Sequence, residues 1–291
     1  MRLRYKIVFA VLLSLLLVIS YCNWKYEVIA FHPFRSEGQP ELTVMTWNVY
    51  CPNGADSSRQ KDIVDLILEV DADFVLLNEY NQDSCMIVDS LLRLKYPYTE
   101  EYQSHKYSGD IFYSKRKMSE SGHVFTPKGQ KGIKTIKATI SVGSDSVQVF
   151  GVHMASNHYK GSTLENEFVS DTTSYDRYID AQESRCFQAH WTKWAVLESN
   201  LPVVVMGDMN DFNRSAPLDT LTGGGLKDSW WEGGFGYGAT FHKGWMRLRI
   251  DHILHSKDLN LESIKVIETD LSDHNPVVAE FSLNTNTNRT N

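Results

Sequence analysis

The sequence predicts an α/β fold in which two mixed β-sheets stack face to face with helices on their outer sides, a four-layer α/β/β/α sandwich. Three observations lead there. The chain has 291 residues, 42% hydrophobic and 22% charged, with no internal repeat and no Pro/Gly-rich linker in its middle. That suffices for one large core, since a single α/β domain can use this length. Between Leu42 and Leu283, short β-branched stretches alternate with segments of helical periodicity. Helices join some consecutive strands and short turns join others, which mixes parallel with antiparallel pairing.

The elements follow in order. "MRLRYKIVFAVLLSLLLVISYCNW" opens with Arg2, Arg4 and Lys6 and then runs without a charge from Ile7 to Tyr21. Residues 1–24 read as a signal anchor or signal peptide and 25–41 as a linker. The apolar run is shorter than the usual span of about 18 residues, and it lacks a small-residue cleavage site. Cys22 follows a Tyr too bulky for a lipoprotein signal. The basic residues ahead of the run predict a membrane-anchored or exported protein with its domain outside the cytoplasm.

Strands are expected at 42–48, 73–79, 134–140, 147–154, 201–208, 247–255 and 276–283. Between the first two, Ile63, Leu66, Ile67 and Val70 recur at helical spacing after Asp56 or Ser57 as N-cap. A second long helix is expected at about 175–199, and the polar tail 284–291 is expected to be disordered.

The net charge of -7 sets up no strong basic field toward nucleic acid or anionic lipid. Lys128, Lys131, Lys134 and Lys137 form the densest basic stretch. With Cys22 assigned to the anchor, Cys51, Cys85 and Cys186 remain, without CxxC or zinc spacing. At most one disulfide is possible in the domain, and core or surface roles are expected for these thiols. Asn213 and Asn288 begin glycosylation sequons.

The chemistry concentrates at strand ends. Asn48 ends the first strand, Glu79 the second and His153 another; Asp208 and Asn210 follow "VVVMG", Asp251 interrupts "RLRIDHIL", and Asp273 with His274 precedes the last strand. One such residue is ordinary turn chemistry. Recurrence at so many ends points to a shared site.

The motifs "MTWNV", "LLNEYN", "GVHMAS", "GDMNDF", "RIDHIL" and "SDHNPV", in this order, resemble those of the endonuclease/exonuclease/phosphatase superfamily over about residues 42–283. That superfamily includes pancreatic-type deoxyribonucleases, base-excision endonucleases, sphingomyelinases and inositol-phosphate phosphatases. The resemblance implies a phosphoester hydrolase that uses Mg²⁺, with Mn²⁺ or Ca²⁺ as alternatives. Such chemistry needs a cation against the phosphoryl oxygens, an in-line water and donors for developing charge.

By the same resemblance, Glu79 is the principal metal carboxylate, Asn48 binds metal or phosphate, and Asp273 approaches the metal from the opposite side. Asp208 holds or deprotonates the attacking water and Asn210 orients it or the phosphate. Asp251 fixes and charges His274, which donates to the phosphate, and His153 is a second donor. Arg185 and Gln188 are assigned support of the metal-side strands, while His158 and His252 carry no assigned role.

Asp110 departs from the small apolar residue that relatives often carry, as a turn residue or as added negative charge near the site. The segment 228–245 gathers Trp230, Trp231, Phe235, Tyr237, Phe241 and Trp245 as an aromatic rim or as core, with Trp230 expected in the core. The substrate is expected to be a phosphodiester, with nucleic acid first and phospholipid or inositol phosphate as alternatives. A binding domain that keeps the fold without catalysis is the other class of reading.

Overall fold

The structure, a computed structural model, describes residues 2–33, 38–51, 56–105, 108–124, 135–157 and 172–284. Lys128, Lys131, Lys134, His158, Asn288 and the tail from residue 285 lie outside the described residues.

Two six-stranded sheets stack against each other. The first has strand order β10 (Leu226–Asp228), β14 (Asp251–Ser256), β9 (Val203–Asp208), β8 (Asp145–His153), β7 (Thr135–Val142) and β6 (Met118–His123). The second runs β15 (Leu259–Val266), β16 (Val277–Leu283), β2 (Leu42–Asn48), β3 (Phe74–Tyr80), β5 (Ser108–Ser114) and β4 (Tyr98–His105). Both are mixed: β8 pairs parallel with β9, β2 pairs parallel with β3, and the other ladders are antiparallel. The parallel pairs need crossovers. Helix α2 (Ser57–Val70) supplies the second sheet's and α4 (Thr172–Leu197) lies in the connection between β8 and β9.

Strand alternation sorts the side chains into three cores. Val44, Phe74, Leu76, Phe112, Val149, Val204, Met206 and Ile253 fill the space between the sheets. Met45, Trp47, Val75, Leu77 and Tyr113 face outward onto α2 and α3 (Met86–Lys95), meeting Ile63, Val64, Ile67, Val88 and Leu92. Phe150, Val152, Val205 and Leu254 face the other way, onto Ala189 and Val196 of α4 and Leu218 and Leu221 of α5 (Ala216–Thr222). Helix α2 begins where its sequence signal placed it, with Asp56 accepting from the Arg59 backbone N–H at 2.8 Å.

Two features differ from the sequence expectations, and a third, the aromatic segment, follows them. Cys51 and Cys85 form a disulfide across a separation of 34 residues, where simple core or surface thiols were expected. Both sulfurs belong to the α2/α3 core, and the bridge joins the loop after β2 to the start of α3. The segment expected as a linker contains β1 (Ala30–Phe31), which pairs antiparallel with β11 (Phe235–Gly236), and Ala30 is buried in the inter-sheet core. The aromatic segment divides: Trp230, on α6 (Ser229–Gly233), is core and donates to the Gly236 carbonyl, whereas Phe235 and Trp245 are exposed.

The N-terminal run is helical, as α1 (Arg2–Tyr26), with side chains from Val11 to Ile19 exposed. Among the described residues no helix is long and apolar enough to cross a membrane.

A buried ion pair fixes the approach to β14. Asp228 accepts from Arg249 at 3.0 Å, stands 3.3 Å from His252 Nδ1 and caps α6 through the Trp230 N–H. Burial acts to raise its pKa, but the Arg249 guanidinium and His252 hold the carboxyl well below its usual range. A depressed carboxylate stabilises the fold above the unfolded value of 3.8, and that contribution disappears as pH falls through the folded value. Asp228→Ala leaves Arg249 buried without its carboxylate and is expected to cost about 3–5 kcal/mol in denaturant titration at neutral pH, with the gap to wild type shrinking in acid. Removing the disulfide by Cys51→Ser with Cys85→Ser is expected to cost about 2–4 kcal/mol in the same titration.

Candidate active site

Alternation explains why the polar residues meet. Asn48 extends the inward-facing series of Val44 in β2, Asn78 that of Phe74 and Leu76 in β3, and Asp110 precedes inward Phe112 in β5. On the first sheet, His153 follows Val147 and Val149, Asp208 follows Val204 and Met206, and Asp251 precedes Ile253. All six therefore point between the sheets at one end of the sandwich.

Two amides close that end. Asn48 Nδ2 donates to Glu79 Oε1 at 3.2 Å and across the sheets to Asp208 Oδ2 at 3.0 Å. Asn78 donates to Asp110 Oδ1 at 2.7 Å and to the Val152 carbonyl at 3.2 Å, and accepts from the Asp208 backbone N–H at 3.1 Å. At Gly207, φ is +139° and a Cβ would strike the Val152 carbonyl, so β8 and β9 approach here as only glycine allows.

Glu79 reaches this end by breaking the alternation. Regular pleating would send its side chain outward with Leu77. Instead its φ is +51°, and the β3–β5 register slips between Leu77 and Tyr80. Tyr80 takes the outward place and Glu79 turns toward Asn48. Asn210, at φ +51°, is also left-handed; its N–H donates to Asp208 Oδ1 at 2.8 Å and its side chain to the Met154 carbonyl at 3.1 Å.

His274 is held from several directions. Its backbone N–H donates to Ser272 Oγ at 3.2 Å and its carbonyl accepts from Trp47 Nε1 at 2.8 Å. Ser272 Oγ itself donates to the Asn48 carbonyl at 2.7 Å, and the Phe241 ring packs on the imidazole at 5.0 Å. The ring places Nδ1 2.8 Å from Asp251 Oδ2 and Nε2 3.8 Å from Asp208 Oδ2. Thr240 Oγ1 in turn accepts from the Asp251 backbone N–H at 3.0 Å.

Ligand atoms of Asp208, Asp251 and His274 lie within 4.8 Å of one another, all buried. Burial and the Asp251 charge push the Asp208 carboxyl up to about 6. Burial would lower the His274 pKa, but the Asp251 and Asp208 carboxylates outweigh it and hold it at about 10. At Asp251 burial acts upward and His274 outweighs it, so the carboxyl stays below the ordinary range. Near neutral pH this is an imidazolium paired to one carboxylate beside a second carboxyl able to take up a proton.

A parallel pair stands opposite. His153 Nδ1 lies 3.2 Å from Asp110 Oδ1, and its Nε2 lies 3.9 Å from Glu79 Oε1. Asp110 is therefore not a turn residue; it adds negative charge at the site, as the carboxylate facing His153, itself fixed by Asn78. Sequence reasoning also passed over Asn78 and Thr240, whose roles depend on neighbours in other strands.

The remaining assigned residues fall as follows. Asp273 departs from His274, its carbonyl accepting from His242 N–H at 2.8 Å while its carboxylate charge acts on Arg59. It stands outside the Asp208–Asp251–His274 cluster, as does Glu79, whereas Asn48 donates to Asp208 Oδ2. Arg185 binds Asp211 Oδ2 at 3.0 Å and the Ala155 carbonyl at 2.9 Å, while Gln188 accepts from the Ala155 N–H at 2.8 Å. These two brace the loops after β8 and β9, on the His153 and Asn210 side, rather than the strands of Asn48 and Glu79. His252 is a buried structural residue between Asp228 and the Asp211 carbonyl.

The donor set fits a hard divalent cation. Glu79 and Asp273 offer carboxylate oxygens and Asn48 an amide oxygen, which here accepts from the Tyr50 N–H at 3.1 Å, and one carboxylate oxygen each of Asp251 and Asp273 is buried without a hydrogen-bond partner among the described residues.

Comparison with known proteins agrees with this fold. No protein of curated function matches the sequence. The fold is similar to that of D. rerio TDP2 complexed with a single-strand DNA product, at 18% identity and TM-score 0.63 over 83% of this chain and 98% of that one. It is similar to truncated Caenorhabditis elegans TDP2 at 20% identity and TM-score 0.61, covering 82% and 96% of the two chains. The 3'-5' exonuclease NExo from Neisseria meningitidis aligns at 20% identity and TM-score 0.62 over 83% of this chain and all of its own, 100%. The profile of the Endonuclease/Exonuclease/phosphatase family matches residues 45–274, most of the chain, and the protein belongs to that family.

Proposed function

We propose that this protein is a divalent-metal-dependent phosphodiesterase of the nuclease type, Mg²⁺ being its cation, acting outside the cytoplasm. The observation that carries the reading is the pair of His–carboxylate dyads, His274–Asp251 and His153–Asp110, facing each other across Asn48, Glu79 and Asp208. The DNA bound in solved relatives favours nucleic acid as the substrate. The Cys51–Cys85 disulfide supports an oxidising compartment.

Glu79, Asn48 and Asp273 would hold the cation, which when bound neutralises the non-bridging oxygens of the phosphoryl group. Asp208, buried and raised toward neutrality, accepts a proton from the attacking water, and Asn210 on the same turn orients that water or the phosphate. His274, kept charged by Asp251, donates to the phosphoryl oxygens as negative charge grows. His153, oriented by Asp110, donates to the leaving oxygen. Two donors suit a diester, one stabilising the phosphoryl oxygens while the other protonates the leaving alkoxide.

A second reading, a lipid phosphodiesterase, is favoured by the exposed apolar side chains of α1.

The full-length protein is to be assayed with and without Mg²⁺ on single-stranded DNA, RNA, sphingomyelin, inositol phosphates and bis(p-nitrophenyl) phosphate. Metal-dependent cleavage of a diester that falls by roughly 10²–10⁴ in His274→Ala and in Glu79→Ala is expected. Turnover that survives both substitutions, or no turnover of any diester, contradicts the assignment. Asp110→Asn is expected to lower kcat about 10–100-fold with KM little changed, and adding it to His153→Ala should cost nothing further. Additive losses would show that Asp110 acts apart from His153.

A further inference from the structure

The apolar helix α1 does not hang from the domain on a loose tether. Its last turn is clamped: the Asn23 side chain accepts from the Ile29 N–H at 2.7 Å and donates to the Ile29 carbonyl at 3.0 Å. Glu27 N–H bonds back to the Asn23 carbonyl at 2.8 Å, and Asn213 of the domain donates to the Glu27 carbonyl at 3.2 Å. Immediately afterwards β1 enters the fold, with Ala30 buried and Phe31 opposite Phe235. The helix and the domain therefore share a fixed geometry.

At the root of that helix the domain shows an apolar face. Phe31 and Phe235 are 72% and 61% exposed with their rings 5.5 Å apart, Ile29 two residues before Phe31 is exposed, and exposed Val28 and Phe212 line one cavity. Scattered exposed apolar residues are ordinary, but a contiguous cluster of aromatic and branched side chains is not. The face is continuous with α1, whose exposed side chains from Val11 to Ile19 are apolar apart from Ser14. A helix apolar on every side fits no single protein groove; it fits lipid. Tyr21, Trp24, Lys25 and Tyr26 stand where helix and face join, the residue types that settle at headgroup level.

We propose that the Phe31–Phe235 face is a second membrane contact, a lipid-docking surface of the folded domain that lies on the bilayer beside α1. Side chains of this kind enter the headgroup boundary by about 5–10 Å. Asn210 is followed by Asp211 and then Phe212, and Phe212 and Asn213 line one cavity of about 270 Å³ with Tyr26, Val28 and Tyr237, together with the charged Glu27 and Arg249. The loop proposed to orient the reacting phosphate thus continues into the residues beside the docked face. The proposal rests on α1 being lipid-seeking and is independent of which phosphodiester is cleaved.

The test uses full-length protein carrying Cys22→Ser and Cys186→Ser, with the Cys51–Cys85 disulfide intact. An environment-sensitive dye is attached at one of four new cysteines: Val18→Cys, Phe31→Cys, Phe235→Cys or, on remote α3, Leu94→Cys. Protein is reconstituted in phosphatidylcholine vesicles containing phosphatidylglycerol, and quenching by brominated lipid is compared with quenching by aqueous iodide. The dye at positions 18, 31 and 235 is expected to lose fluorescence to brominated lipid and to be shielded from iodide, while the dye at position 94 behaves in the opposite way. Lipid quenching at 18 alone would overturn the docked face, and its absence at 18 would overturn the lipid-seeking helix beneath it. Shielding at 31 and 235 without lipid quenching would assign the face to a protein partner, and quenching at all four positions would mean non-specific adsorption; either result overturns the proposal.

Discussion

Two stacked sheets stay apart wherever apolar side chains fill the space between them, so a site built between sheets exists only where polar side chains bridge the gap. In this protein Asn48 does so, donating from the end of β2 to Asp208 at the end of β9 while also holding Glu79. Asn78 repeats the device one strand over, tying β3 to β8 and β9 and presenting Asp110. With the two amides in place, carboxylates from both sheets are held within reach of two imidazoles, and the last loop is fastened to Trp47 and to the Asn48 carbonyl.

Concentrating carboxylates in a buried space is costly unless positive charge answers them. The answer is asymmetric. On one side His274 lies against Asp251 and near Asp208, and each group moves the other's pKa: the imidazole upward, Asp251 downward. On the other, the Glu79 carboxylate accepts from the Asn48 amide and faces His153, and its oxygens suit a cation from solution. The proposed acid–base roles and the proposed metal position are two consequences of this one electrostatic division. The disulfide lies close to the Glu79 side, joining the loop after Asn48 to the start of α3 just after Glu79, and the Cys51 N–H donates to the Glu79 carbonyl at 2.9 Å.

Much of this was legible in the sequence, for a physical reason. Period-two alternation ends "LTVMTWN" and "LPVVVMGD" with a polar residue on the side that faces the other sheet, and "RLRIDHILH" carries Asp251 on that side. Glu79 was legible only through its motif, because the same alternation would aim it at the helices; the bulge that redirects it is a tertiary event. Asn78 and Thr240 carry no local signal, since their partners lie in strands far away in sequence. Strands β4 and β6, "YTEEYQSH" and "MSESGH", lack the hydrophobic alternation that marks a half-buried strand. Cys51 and Cys85 meet through the packing of two loops, for which a separation of 34 residues offers no pattern.

The account stands on the claim that the polar end of the sandwich assembles around a divalent cation. Its most direct test is equilibrium binding of Mn²⁺ to the full-length protein, followed by electron paramagnetic resonance, for wild type, Glu79→Gln and Asn48→Ala. Saturable binding by the wild type that weakens at least about tenfold in both variants, with folding intact by circular dichroism, is the predicted result. Binding of equal strength in all three proteins, or none in the wild type, would contradict the account.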